Sequence, residues 1–165
     1  MVDEVAGNVA DQKPNTIDPE PREVTVIDHT CIFCQIVAGD ADATVISEDD
    51  TVVAFLDINP ITPGHTLVVP RAHLPTLSDV DPRTGAHMFN VAQRMAKALR
   101  ASGLRCDGVN LFYADGEAAG QEVFHAHLHV LPRYEGDGFR VIADRRTQPS
   151  RAELEATGEE IRNAS

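Results

Sequence analysis

Three of the chain's seven histidines alternate with apolar residues in the stretch His125-Ala126-His127-Leu128-His129, and Val130 and Leu131 continue it. Strict period two predicts a β-strand, on which residues i, i+2 and i+4 share one face. At the rise of an extended chain, neighbouring imidazoles would emerge roughly 6.6 Å apart. Such a row has three chemical readings. The rings can be satisfied by local hydrogen bonds, or a pair of them can hold a zinc ion, for which imidazole is a common ligand. Or one ring can attack phosphorus or carbon while its neighbours orient it and carry protons. The row by itself leaves these open.

A nucleophilic imidazole has stated needs. Its ordinary pKa near 6.5 keeps the free base abundant at neutral pH. Its second ring nitrogen must be tied to an acceptor, so that the attacking nitrogen holds the lone pair, and donors must surround the phosphoryl oxygens. His127 has a histidine on each side and is the expected nucleophile.

Two more groups could do chemistry. Cys31-Ile32-Phe33-Cys34 reads as a redox dithiol, as half of a zinc site, or as two buried thiols. The strand–long-helix context of a thioredoxin-like motif is missing around it, and two more ligands would be needed for a closed tetrahedral site. Asp57 stands at a strand end between Phe55 and Ile58. Its carboxylate could cap a turn or hold the diol of a ribose.

The elements that must position these groups are legible as patterns. A short helix is expected over Ile32–Ala38, ended by Gly39. Strands are expected over 44–47, 51–56, 66–69 (closed by Pro70) and 109–113. Asp81-Pro82 reads as an N-cap with proline at the first helical position. The helix it opens carries Met88, Val91, Ala92, Met95, Ala96 and Leu99 as an apolar stripe, and Gly103 is expected to end it. Ser150 and Glu153 form a capping box that opens a C-terminal helix, and Cys106 reads as a small core residue. Residues 1–28 hold seven acidic and two basic residues, three prolines and no aromatic, and read as an acidic arm in which 24–27 could add an edge strand. The expected layout is an arm over 1–28, a domain over 29–140 and an extension over 141–165.

Composition narrows the function. A 165-residue chain is long enough for one domain with a core. Its net charge of −12 argues against nucleic acid or an anionic membrane as a main partner. No apolar run approaches the length of a membrane span. With no secretory signal at its start, the chain is expected to be cytoplasmic.

The stretch Gly120-Gln121 through His125-x-His127-x-His129 and Pro132-Arg133, with Gly64-His65 through Pro70-Arg71-Ala72-His73 upstream, resembles the histidine triad (HIT) family. The similarity runs in family order from about Cys31 to about Phe139. It implies an α+β, HIT-like fold: an antiparallel sheet of about five strands with the triad strand central, a long amphipathic helix, a short C-terminal helix, and a homodimer formed through the long helix and a sheet edge. It implies hydrolysis of nucleoside 5′-phosphate derivatives of the adenosine phosphoramidate type, at the α-phosphate, through a covalent nucleotidyl-histidine on His127. His129, His65 and Gln121 would be phosphate donors and proton carriers. A purine mononucleotide or its conjugate would be held by Asp57 at the ribose and by Phe33, Ile36, Phe55 and Ile58 at the base, with Gln121 and His129 at the phosphate. In many bacterial members a structural zinc sits on positions matching Cys31, Cys34, His73 and His125; no organic cofactor is implied. A branch with Gln in the third triad position transfers nucleotides, and His129 sets this chain apart from it.

Other readings stay in view: a dinucleoside polyphosphate hydrolase, a nucleotide-binding sensor or scaffold with little turnover, and a catalytic zinc centre on His125 and His127. Two positions depart from the family pattern. Glu122 stands where many members carry Ser or Thr against the leaving group. Ala114, followed by Asp115, stands where many carry Asn. Both bear on which leaving group is accepted.

Overall fold

The computed structural model describes residues 28–142 and 148–165. Residues 1–27 of the acidic arm, with the proposed edge strand, and most of the charged 144–149 segment lie outside the described residues.

Helix α1 (Ile32–Ala38) ends at Gly39, whose φ of 82° lets its N–H turn back to the carbonyls of Gln35 and Ile36. Five strands follow: β1 (Val45–Glu48), β2 (Val52–Leu56), β3 (Thr66–Pro70), β4 (Gly108–Tyr113) and β5 (Leu128–Arg133). They form one antiparallel sheet in the order β1-β2-β3-β5-β4. This is the α+β sheet that the resemblance implies, except that β3 and not the histidine-bearing β5 takes the middle; β5 is an inner strand, second from the β4 edge.

The sheet's two faces are covered by different helices. Helix α2 (Pro82–Ala101) starts at Asp81, whose carboxylate accepts from the amides of Arg83 and Thr84. Its apolar stripe packs Met88, Val91, Ala92, Met95 and Leu99 on Val52, Ala54, Val68 and Val130, and Ala96 packs against the same cluster. Each of the buried Met, Val and Leu side chains contributes on the order of 1.5–3 kcal/mol. Helix α2 stops at Ala101, two residues before Gly103, because Ser102 takes the C-cap and its hydroxyl donates to the Leu99 carbonyl. On the opposite face, Phe33 and Cys34 of α1 pack on Val53, Phe55, Leu67 and Val69. Helix α3 (Arg151–Ala164) opens with the expected capping box on Ser150 and Glu153. None of the described helices is long and apolar enough to cross a membrane.

The alternating histidines do not share one strand. Strand β5 starts at Leu128, so only His129 lies on it. His125 and His127 precede it on a bent segment in which the His125 amide donates to Val123 and the Ala126 amide to Leu74. The ladder of β3 with β5 runs from Thr66↔Val130 to Val68↔Leu128. Two residues further along β3 comes Pro70, which has no N–H with which to continue it. The chain before Leu128 is therefore free to turn, and it sends the His125 ring away from His127 and His129.

Candidate active site

The sheet register builds the floor of a cleft. Phe55 of β2 pairs with Leu67 of β3, Leu67 with His129 of β5, and His129 with Phe112 of β4. Directly paired residues point to the same face, so these four side chains form a row across the sheet. Above it lies a cleft of about 960 Å³. Phe33 and Ile36 of α1 and the segment 42–44 wall one end; His65, His127, His129 and Asp57 lie within it; Phe112, Leu131 and Phe139 line the β4 side.

His127 has the geometry an imidazole nucleophile needs. Its Nδ1 lies 2.6 Å from the carbonyl oxygen of His125. A carbonyl only accepts, so Nδ1 carries the proton and Nε2 is left with the lone pair. Burial lowers the His127 pKa below its ordinary value, against the pull of that carbonyl, and the neutral ring is the stable form. The Phe33 ring stands edge-on to it at 5.2 Å between centroids.

His129 and His65 form a hydrogen-bonded pair, with His65 Nε2 2.8 Å from His129 Nδ1. His65 is delivered by Gly64, whose φ is 92° and where an added Cβ would come within 2.8 Å of Leu104 and 2.9 Å of Leu99. On the far side of His65, Nδ1 lies 3.2 Å from Asp57 Oδ2 and 3.4 Å from the Ile61 amide. The closer and charged partner dominates, so Nδ1 donates to Asp57. Burial depresses the pKa of His129 to about 4, helped by His127 and His65. It lowers that of His65 as well, with Asp57 pulling the other way. Asp57–His65–His129 is thus a continuous path for a proton into the cleft.

The second group of candidate residues meets behind the cleft. Ligand atoms of Cys31, Cys34, His73 and His125 all lie within 4.8 Å of one another. Sγ of Cys34 is 3.3 Å from His73 Nδ1 and 3.6 Å from His125 Nδ1, and Sγ of Cys31 is 3.5 Å from His125 Nδ1. Sulfur and nitrogen around a tetrahedral zinc, at about 2.3 and 2.0–2.1 Å from it, stand about 3.5 Å apart. The tautomers agree: His125 Nε2 donates to the Pro70 carbonyl at 2.9 Å, which aims its Nδ1 lone pair at the sulfurs, and His73 turns its Nε2 toward Asp28 at 3.9 Å. The donor set and its spacing fit a four-coordinate metal.

Several expected site residues find particular places. Phe33 and Phe55 stack edge to face at 5.6 Å at the buried end of the cleft, with Ile36 beside them. Ile58 is 91% exposed at the mouth. Asp57 caps its turn, with Oδ1 accepting from the Asn59 amide at 2.8 Å, and its Oδ2 faces His65 in the cleft. Gln121 is not among the residues that line the cleft. It is buried, its Nε2 donates to the carbonyls of Pro75 and Val123, and its Oε1 accepts from the Gly116 amide. Every polar atom of that side chain is thereby engaged in holding the loop. Phe112 and Phe139 are cleft residues that the sequence did not mark. Phe112 is an ordinary apolar strand position until the register sets it beside His129.

The comparisons agree with this geometry. The HIT domain model matches residues 38–136. An uncharacterized HIT-like protein of Mycobacterium tuberculosis is 46% identical over 136 residues, covering 81% of this chain and 92% of that one. A protein of Arabidopsis thaliana described as an adenylylsulfatase is 37% identical over 116 residues, which span 70% of this chain and 58% of that protein. Among solved structures, a HIT family protein from Bacillus anthracis has a TM-score of 0.76 at 39% identity, covering 83% of this chain and 98% of that chain. A zinc-bound histidine triad family protein from Mycobacterium smegmatis has a TM-score of 0.65 at 46% identity, covering 82% of this chain and 98% of that chain. The family model alone spans more than half of the chain. With the row of histidines, the His65–His129 pair and the cysteine–histidine cluster in their places, this chain belongs to the histidine triad (HIT) family.

Proposed function

We propose that the protein hydrolyses nucleoside 5′-phosphate derivatives at the α-phosphate, with His127 as the nucleophile. The observation that carries this reading is the bond from His127 Nδ1 to the His125 carbonyl, which leaves Nε2 facing the cleft as a free base. In the first step Nε2 forms a bond to phosphorus and the bond from phosphorus to the leaving group breaks. The leaving atom takes the electron pair and a proton from the His129–His65 pair. In the second step water attacks phosphorus, the P–Nε2 bond breaks, and its electron pair returns to His127. His129 takes a proton from that water while its Nδ1 passes one on to His65, where Asp57 faces the positive charge. The same pair serves as acid and then as base, and a phosphate anion in the cleft offsets the burial that otherwise keeps it neutral. Gln121 serves in this scheme as the anchor of the loop.

The test is to trap the intermediate. Rapid acid-free quenching of a reaction with adenosine 5′-phosphoramidate labelled at phosphorus should leave label on a peptide containing His127, stable in base and lost in acid. The readings as phosphoramidase and as dinucleoside polyphosphate hydrolase both require that adduct; its absence under turnover would sink them. A sensor or scaffold would bind nucleotide and accumulate no label.

The nucleotide is a purine ribonucleotide in this reading. Phe33, Ile36 and Phe55 offer a flat apolar slot for the base, Ile58 covers it from the mouth, and Asp57 accepts from the ribose hydroxyls. Asp57 already accepts from the Asn59 amide and faces His65, so the loss of one ribose hydroxyl should cost about 1 kcal/mol, at the low end for an unpaired buried group. AMP should therefore bind about fivefold tighter than its 2′-deoxy form. Asp57→Ala should remove most of that ratio, and calorimetry on both ligands with both proteins gives the coupling. Equal wild-type affinities would reduce Asp57 to a turn cap and partner of His65.

Zinc is the metal that the cysteine–histidine cluster suits best, and its role there is structural, since all four positions are filled by protein ligands. Free Cys31, Cys34 and Cys106 suit a reducing cytoplasm. A homodimer would cover the edge of β4, which is unpaired among the described residues and where Leu111 and Phe112 are exposed, and the exposed Phe89 on α2.

A further inference from the structure

We infer that Glu122 sets the charge of the leaving group, favouring an amine that carries a second positive charge over a neutral amine and disfavouring an anion. This rests on the reading of the cleft as a nucleotide hydrolase site and specifies its substrate class.

Position is the first argument. Glu122, with Ile32 and Val123, lines both the cleft and an adjoining hollow of about 370 Å³. With the base slot and the histidines of the proposed site in the cleft, this hollow, lined also by Cys31 and His73 of the metal cluster, is the adjoining space open to a leaving group. Asp28 stands on its wall, with Phe124 and Pro75 as apolar neighbours. The backbone on both sides of Glu122 is held by the Gln121 amide, which bonds to Val123, Pro75 and Gly116. Gln121 points inward, and Glu122 is exposed.

Charge is the second argument. Asp42, Asp57 and Glu122 line the cleft, and among the described residues no Lys or Arg lines either cavity. Asp57 is engaged by the Asn59 amide and by His65, whereas the Glu122 carboxylate has no hydrogen bond or ion pair among the described residues. A polyphosphate would bring several negative charges to a cleft without a fixed cation, on a chain whose net charge is −12. An ammonium two or three bonds past the leaving nitrogen meets the opposite situation, the unpaired Glu122 carboxylate at the junction; Asp28 in the hollow already accepts from the Thr30 amide and hydroxyl and faces His73. Charges some 6 Å apart near a protein surface shift a rate by about tenfold or more.

The experiment uses three AMP phosphoramidates of near-equal size, made from ethylenediamine, propylamine and β-alanine, which leave a cationic, a neutral and an anionic group. Wild-type kcat/KM should fall in that order, by about tenfold per step. In Glu122→Gln the ratio between cationic and anionic substrates should collapse to within about threefold, and in Glu122→Lys it should invert; raising the salt concentration should shrink the wild-type ratio. Ratios between substrates within one protein are independent of how much of a variant is active. Equal wild-type rates on all three overturn the inference while leaving hydrolysis in place, as does an unchanged ratio in both variants. Failure of the wild type to cleave any of the three overturns the hydrolase reading itself.

Discussion

His127→Ala is expected to lower kcat by about 10⁴-fold or more, the scale seen when a covalent nucleophile is removed. AMP affinity should change by no more than a few fold. The two effects separate because binding and attack use different atoms. In the proposed site the base slot would be built by Phe33, Ile36 and Phe55 and the ribose position by Asp57, while among the described residues lining the cleft His127 is the one whose bare ring nitrogen is fixed by a backbone carbonyl. The substitution removes a 6%-exposed ring packed edge-on against Phe33, so the domain should lose some stability as well, and melting must be checked alongside. His127→Gly with added imidazole offers a second measurement: partial recovery of turnover would tie the loss to the missing nitrogen and not to the missing packing. Retention of near wild-type kcat in His127→Ala would overturn the assignment.

Removing the metal should act on stability first. The protein is expected to carry about one zinc per chain, and a metal present at a thousand times its Kd stabilises the folded state by about 4 kcal/mol. For a chain of this size each kcal/mol moves Tm by roughly 2–4 °C, so chelation or Cys34→Ser should lower Tm on the order of 10 °C. The cluster joins α1 to the ends of β3 and the triad segment, through residues up to 94 positions apart, adding to the core packing of α1 and to the bond from Arg71 to the Val37 carbonyl. Its effect on chemistry should be smaller, within about tenfold at temperatures well below melting. Some effect is expected because His125 supplies both a metal ligand from its ring and, from its carbonyl, the acceptor for His127. Loss of the metal leaves the His125 ring bonded to Pro70, so the carbonyl keeps much of its position. Metal analysis that finds no zinc in protein prepared without chelator would refute this, as would a disulfide between Cys31 and Cys34.

Much of the fold is local in origin and could be read residue by residue. The period-3.6 stripe from Met88 to Leu99 gives α2 its buried face, the Asp81-Pro82 cap starts it, and the Ser150–Glu153 box starts α3. Gly39 ends α1 because only a residue tolerant of positive φ closes that helix so tightly. Strands β2 and β3 appear as apolar runs because both of their faces are covered, one by α2 and the other by α1. Family resemblance then supplied the grouping of Cys31 and Cys34 with His73 and His125, which no local pattern could provide.

What the sequence determined by itself was the residue types and their short-range spacing: the alternating histidines, the cysteine pair, the caps, the apolar periods. What each of those residues does was decided only by the tertiary structure, because it depends on where a ladder stops and which strands lie side by side. Period two predicts a strand through all three histidines; the missing N–H of Pro70 and the bond from Ala126 to Leu74 end it at Leu128. The bend sends His125 to the cysteines, leaves His127 tied to its neighbour's carbonyl, and keeps only His129 on the sheet. Gln121 turned inward for the same kind of reason, since three backbone groups of surrounding loops meet its amide. Phe112 became part of the cleft because β4 pairs with β5 in the register that sets it opposite His129. Contacts of this kind form between segments far apart in the chain, and their energies depend on pairing and burial that no window of neighbouring residues contains.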